Sequence, residues 1–563
     1  MLDEDGVPVV PPPEFAPTAA AQKRSDKKAV VAARAKGAAD EDGGTPPEIN
    51  PRFGEALRLM RDTGRSLFIT GKAGTGKSTL LRHFRREAKK NIVVLAPTGI
   101  AALNVGGQTI HNFFRFSIDV TPQKAAARKK PRNAKLYKKI ETIVIDEISM
   151  VRADLLDCVD AFLRLHGPEP GQAFGGVQMI FIGDLYQLPP VVTAQEREIF
   201  ESHYETPYFF SAYCLSGFSL ATVELEKVYR QKDGAFVALL NRVRENAVTD
   251  ADIVLLNSRV VPAASPRDER FSISLTATNR HADEINAAHL AALEGQARLS
   301  VAEVEGDFGR EYFPAAPELS FKPGAQVMML TNDREGRWVN GSLGVIESAG
   351  KDIDKGEYIA VRLQDTEDSV AVFRHAWEVY RFALSGDEIL SEPAGTFIQF
   401  PFRLAWAVTI HKSQGKTFDR VTIDIGQGAF AAGQVYVALS RCTSFEGITL
   451  QTPLQRRHIR TDPRIAAFME NRSGAPEDEA QAELTPVMLI ERAIRNESAL
   501  DISYLKSDGE KMRLTVMPYA LGLHTHENRI FMGMKAHCRL DGEARLFSVE
   551  RILEIADSQS IAQ

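Results

Sequence analysis

The sequence predicts an α/β protein with a parallel sheet at its centre, and three observations carry that expectation. A β-type run, SLFIT at 66–70, passes through GKAGTGKS at 71–78 into TLLRHF at 79–84, where apolar residues resume at helical spacing. The runs NIVVLA at 91–96, TIVIDE at 142–147 and VQMIFIGD at 177–184 are apolar over strand length, as strands buried on both faces are. Each closes on polar, glycine or proline residues, the places where ligands gather in such sheets.

The glycine stretch has the spacing G-x-x-x-x-G-K-[ST], which cradles phosphate. Gly71, Gly74 and Gly76 allow backbone angles closed to other residues, so successive N–H groups can converge on phosphate oxygens. The residues expected to hold the nucleotide are Gly71, Ala73, Gly74, Thr75, Gly76, Lys77, Ser78 and Thr79. Lys77 bridges the β- and γ-phosphates of ATP in this reading, and the Ser78 hydroxyl takes one place on Mg²⁺. In TIVIDE two carboxylates end a strand: Asp146 is expected to hold the Mg²⁺ through water, and Glu147 to polarise the attacking water. After VQMIFIGD comes LYQLPPV, where Gln187 sits at the place of a γ-phosphate sensor.

Composition bounds what these motifs belong to. The 563 residues suggest several domains, and 44% hydrophobic with 25% charged residues is the balance of a soluble globular chain. The net charge of −6 announces no polyanion, so any nucleic-acid surface must be local. The clearest local patch is TPQKAAARKKPRNAKLYKKI at 121–140, with eight lysines or arginines and no acid; Lys129, Lys130 and Arg132 are its candidate DNA contacts. The four cysteines lack metal-ligand spacing and read as reduced thiols. With no span-length apolar run and no leader pattern, a cytoplasmic location without membrane contact is expected. Residues 1–46 read as a disordered tail.

From the end of the NIVVLA run onward the motifs carry a resemblance. APTGIAALNVGGQTIHNFF, VIDEISMV, GDLYQLPPV, EKVYRQ, LTATNRHADEIN, GAQVMMLTND, VNGSLG, AWAVTIHKSQG and QVYVALSR occur in order and resemble the Pif-one (petite integration frequency) DNA helicases of superfamily one over about residues 49–455. The resemblance implies two RecA-like P-loop domains with ATP between them, at 47–203 and at 204–335 with 401–470. It implies a basic insertion at about 113–140 in the first domain and a small β-barrel insertion at 336–400 in the second. The activity implied is ATP-driven, 5′ to 3′ movement on single-stranded DNA by a monomer acting on tailed or forked DNA. The alternative is a single-strand translocase that remodels protein–DNA complexes with little unwinding.

Arginines from the facing domain stabilise the charge that develops in such a cleft, and Arg230 and Arg441 are the candidates. Gly415, after the TIHKSQ turn, is expected near phosphate or the opposite motor face. A motor that tolerates any sequence holds the DNA backbone, and Thr98, His111, Thr276, Asn279, Thr409, His411 and Lys412 are hydroxyl, amide or basic residues in loops suited to phosphate and sugar contacts. Phe113 and Trp406 read as packing residues. After a linker at 471–485, residues 486–560 form an α+β unit that resembles a WYL domain, on Tyr504, Arg513, Pro518, Arg545 and Arg551. It departs at Phe531-Met532-Gly533, where the name-giving triplet would stand, and is expected to bind nucleic acid or regulate the motor.

Overall fold

The computed structural model describes residues 50–558 except 118, 128–130, 132, 232, 262–270, 334, 365, 427–430, 474–485, 507–509, 527–528 and 540. The expected tail, Lys129, Lys130, Arg132 and most of the expected linker therefore lie outside the described residues.

The first sheet has six parallel strands in the spatial order Gln108–Thr109, Ile92–Ala96, Thr142–Ile145, Gln178–Ile182, Leu67–Gly71, Ala221–Leu225. Every residue of Leu67–Gly71, Thr142–Ile145 and Gln178–Ile182 is buried, which is why these runs lack polar alternation. Helices Pro51–Asp62 and Lys77–Glu87 cover one face, placing Phe53, Met60, Leu80 and Phe84 against Ile69, Val144 and Ile180. Helix Ala153–His166 covers the other with Leu156, Val159 and Phe162. The expected boundary at 203/204 falls too early. Strand Ala221–Leu225 pairs with the whole of Leu67–Gly71, but ATVEL is half exposed at the sheet edge and lacks the apolar signature of the inner strands.

The second sheet is also parallel, in the order Ala407–Thr409, Ile273–Thr276, Val421–Asp424, Ile448–Leu450. The stretch expected as a β-barrel at 336–400 forms two separate antiparallel layers. Five strands order as Ser369–Phe373, Gly356–Leu363, Leu343–Asp352, Gln326–Met329, Phe402–Leu404, taking a strand from each side of the expected bounds. A long hairpin, His375–Ser385 with Glu388–Gln399, adds Glu303–Gly306 as its third strand. The hairpin reaches the first domain: Asn91 Nδ2 donates to the Asp387 carbonyl at 3.0 Å, and Asn91 Oδ1 accepts from the Ile389 N–H at 2.9 Å. Lys139 pairs with Asp387 at 2.9 Å, and Phe382 meets Phe113 edge-on.

Helix Pro486–Arg495 packs on a five-stranded antiparallel sheet in the order Ala544–Ser548, Arg529–Cys538, Lys511–His526, Leu500–Leu505, Ile552–Asp557. Tyr504 belongs to its packing: the ring meets Phe547 edge-on and the hydroxyl accepts from the Ser548 N–H. Tyr213 of the first domain packs against this core, so the C-terminal unit rests on the motor. The four cysteines are buried and free.

Candidate nucleotide and nucleic-acid site

The phosphate loop joins strand Leu67–Gly71 to helix Lys77–Glu87, and Gly76 caps that helix at φ 89°. Thr75 Oγ1 donates to the Lys72 carbonyl and holds the turn. Lys77 Nζ donates to the Gly71 and Lys72 carbonyls at 2.7 and 3.0 Å, so its ammonium is curled over the loop where phosphate oxygens would lie. Burial lowers the proton affinity of Lys77, while Asp184, Glu147 and Asp146 oppose that shift. Ser78 is exposed in the first turn of the helix.

Asp146 and Glu147 follow strand Thr142–Ile145, beside the loop strand's neighbour. Glu147 has φ 52° and ψ 44°, a left-handed conformation that a residue with a Cβ adopts at a cost. That strain turns its carboxylate toward the second domain, where Gln414 Nε2 donates to Glu147 Oε2 at 2.9 Å. Burial raises the proton affinity of both carboxylates; for Glu147 the neighbouring Asp146 adds to the rise and Lys77 opposes it. A Ser78 hydroxyl and a single carboxylate suit Mg²⁺, which keeps water and phosphate oxygens in its shell. Among the described residues no cluster of three or more His, Cys, Asp or Glu could hold a metal by itself.

Gln187 is buried and lies against the same cleft: Nε2 donates to Asp184 Oδ2, and Oε1 accepts from Gln414 Nε2, both at 3.2 Å. The two domains touch closely here. A Cβ on Gly433, just before helix Gln434–Leu439, would lie 2.3 Å from the Gln187 carbonyl oxygen. Tyr436 on that helix takes the Ala73 N–H of the phosphate loop at 3.1 Å, and its hydroxyl reaches Asp184 Oδ2 at 3.4 Å.

The two expected finger arginines converge on Ser440. Arg230 Nη1 donates to its carbonyl at 3.4 Å, and Arg441 Nη2 donates to its Oγ at 2.8 Å. Arg230 also donates to the Gly415 carbonyl and Arg441 to those of Val437 and Lys416. Arg441 is 1% exposed, and burial together with Arg230 pushes its pKa down to about 9. Arg230 crowds the loop itself, since a Cβ on Gly74 would fall 2.6 Å from its Cβ. Lys416 turns away from the loop and donates to Asn340 Oδ1.

The expected DNA contacts divide. Thr98, Asn279, His411 and Lys412 are exposed at the ends of first- and second-sheet strands, and His111 is half-buried. Thr276 and Thr409 are buried with inward hydroxyls: Thr276 Oγ1 donates to the Thr278 carbonyl, and Thr409 Oγ1 accepts the Lys412 N–H. They shape the turns that carry Asn279, His411 and Lys412. Phe113 is buried among Phe114, Tyr137 and Phe382, and Trp406 stacks on His289.

Gln414, Tyr436, Asp184 and Gly433 had no role in the sequence reading. Three of them lie inside the motifs AWAVTIHKSQG, QVYVALSR and GDLYQLPPV, so position in a motif was the available signal. Arg244, which pairs with Asp184, lies in none.

The PIF1-like helicase family profile matches residues 55–252, and the WYL domain profile matches residues 487–556. The ATP-dependent DNA helicase Pif1 of Bdellovibrio bacteriovorus is 34% identical over 440 residues, 76% of this chain and 93% of that protein. The human ATP-dependent DNA helicase PIF1 is 33% identical over 441 residues, and this chain spans 64% of its length. A crystal structure of Bacteroides sp Pif1 with ADP-AlF4 superimposes with a TM-score of 0.70 at 35% identity, covering 76% of this chain and 98% of that one. Bacteroides Pif1 bound to ssDNA gives a TM-score of 0.55 at 35% identity, covering 76% of this chain and 97% of that one.

Proposed function

The chain belongs to the PIF1-like helicase family, and from that premise we propose that it is an ATP-dependent DNA helicase that moves 5′ to 3′ on single strands. The observation that carries this is the cleft: Lys77 and the paired carboxylates on one domain face Gln414, Tyr436, Arg230 and Arg441 on the other side. A site assembled from two domains ties hydrolysis to their relative motion, which is what a motor requires.

With ATP bound, Lys77 would exchange its carbonyl partners for phosphate oxygens, and Ser78 and Asp146 would hold Mg²⁺, which would supply positive charge against them. Glu147, raised toward neutrality by burial and by Asp146, can accept a proton from the attacking water, and the Gln414 N–H fixes which oxygen faces it. Arg230 and Arg441 hold positive charge beside the loop, where negative charge grows in the transition state. Tailed and forked DNA are the expected substrates, bound along Thr98, His111, Asn279, His411 and Lys412 by backbone contacts. For the WYL domain, whose core packs against Tyr213, the reading is that it regulates the motor or adds a weak single-strand site at high local concentration. The test is ATP hydrolysis with and without single-stranded DNA. The wild-type chain should be stimulated by DNA and Lys77→Ala should be inactive; equal turnover by the two would overturn the reading.

A further inference from the structure

Arg244 reaches across the cleft although no sequence motif contains it. It ends helix Gly234–Arg244, which packs on Gln434–Leu439 of the second domain. Its side chain is 4% exposed; Nη2 lies 3.2 Å from Asp184 Oδ1, and the guanidinium lies 4.0 Å from the centre of the Tyr186 ring. Asp184 is wholly buried in the first domain, where an ionised carboxylate persists only with a charged partner and hydrogen bonds.

A hydrogen-bonded chain starts from this pair and crosses the cleft three times. Arg244 donates to Asp184, and Asp184 Oδ2 accepts from Gln187 Nε2. Gln187 Oε1 accepts from Gln414 Nε2, which also donates to Glu147 Oε2. Both ends are carboxylates, and an ionised carboxylate only accepts. Gln187 must therefore turn its NH₂ to Asp184 and its oxygen to Gln414, and Gln414 must turn its NH₂ to Glu147. The orientation of both amides follows from the two acceptors that flank them, Asp184 and Glu147.

We propose that Arg244 is a positioning residue for ATP hydrolysis, its guanidinium fork holding the Asp184 carboxylate in place and thereby orienting Gln187, Gln414 and the Glu147 carboxylate. This rests on the reading of the cleft as an ATP site. Without the guanidinium, Asp184 loses the charged donor that fixes Oδ1. Gln187 then loses a fixed acceptor for its NH₂, its oxygen is no longer held toward Gln414, and the link to Glu147 loosens. The expected defect lies in turnover rather than in nucleotide binding, because the phosphate loop, Gly71 to Ser78, is not part of the hydrogen-bonded chain.

The experiment uses the full chain with single-stranded DNA and measures kcat, nucleotide Kd and the unfolding midpoint. Arg244→Lys keeps the charge without the fork and should lower kcat about fivefold or more, with Kd within about threefold of wild type. The Asp184→Asn, Arg244→Met double variant leaves no buried charge stranded, which protects folding, and should lower kcat about tenfold or more with Kd again preserved. Adding Arg244→Lys to Gln414→Ala should cost little beyond Gln414→Ala alone, since both cut one chain, whereas a general packing role would give additive losses. Wild-type kcat in either folded variant, a loss of Kd that matches the loss of kcat, or full additivity overturns the proposal. A wild-type chain that hydrolyses no ATP removes the site reading together with it; wild-type turnover matched by the variants removes the proposal alone.

Discussion

Gln414 of the second domain donates to the Glu147 carboxylate of the first at 2.9 Å, joining the proposed hydrolytic residue to the facing domain. The same amide holds Gln187 Oε1 at 3.2 Å, so one side chain reads two positions on the facing wall. Gln414→Ala should lower the kcat of DNA-stimulated ATP hydrolysis about 10- to 100-fold, with nucleotide affinity close to wild type. Rapid-quench turnover and fluorescent-nucleotide titration measure the two; unchanged kcat would remove Gln414 from the mechanism.

The carboxylates Asp146 and Glu147 share a buried site, which raises both toward the neutral range. A base must be deprotonated to act, so kcat/KM should rise with pH through the neutral range instead of levelling near the ordinary carboxylate range, about pH 4. A profile already flat at about pH 5 to 6 would contradict the shift.

Gly433 meets the first domain backbone to backbone, with φ 73° and space for no side chain beside the Tyr186 and Gln187 carbonyls. Gly433→Ala should hold the cleft open: kcat should fall about tenfold or more, while the unfolding free energy changes by about 1–2 kcal/mol from the left-handed conformation. Steady-state kinetics beside a denaturant titration separates these, and wild-type turnover would show that the closed contact is dispensable.

Tyr213 connects the WYL domain to the motor. Its N–H donates to the buried Asp157 carboxylate, its hydroxyl donates to the His203 carbonyl, and it packs on the WYL core. Tyr213→Ala should speed hydrogen exchange in strand Arg529–Cys538 and leave exchange in Leu67–Gly71 unchanged. Equal protection of both strands in the variant would mean that Tyr213 does not hold the domain in place.

The nucleotide half of the site was legible because its chemistry is local. Lys77 and Ser78 open the helix after the glycine loop, Asp146 and Glu147 follow a strand that an apolar run announces, and the inner strands of the first sheet follow from such runs. Contacts between distant segments outside the motifs were not legible. Arg244 meets Asp184 sixty residues away, and Asn91 holds a hairpin tip nearly three hundred residues downstream, with no pattern at either end. Thr276 and Thr409 were read as loop residues facing DNA, whereas each is the last residue of a strand, and sequence cannot tell an inward hydroxyl from an outward one. Strand Ala221–Leu225 was missed because an edge strand carries only half the burial that makes inner strands visible.

The central claim, that ATP turnover in this cleft drives DNA strand separation, is tested most directly on duplexes carrying a single-stranded 5′ tail or 3′ tail. The wild-type chain should separate the 5′-tailed duplex with ATP and Mg²⁺, leave the 3′-tailed duplex paired, and do neither without ATP or with Lys77→Ala. Strand separation by Lys77→Ala, or ATP hydrolysis on tailed DNA that leaves every duplex paired, would contradict it.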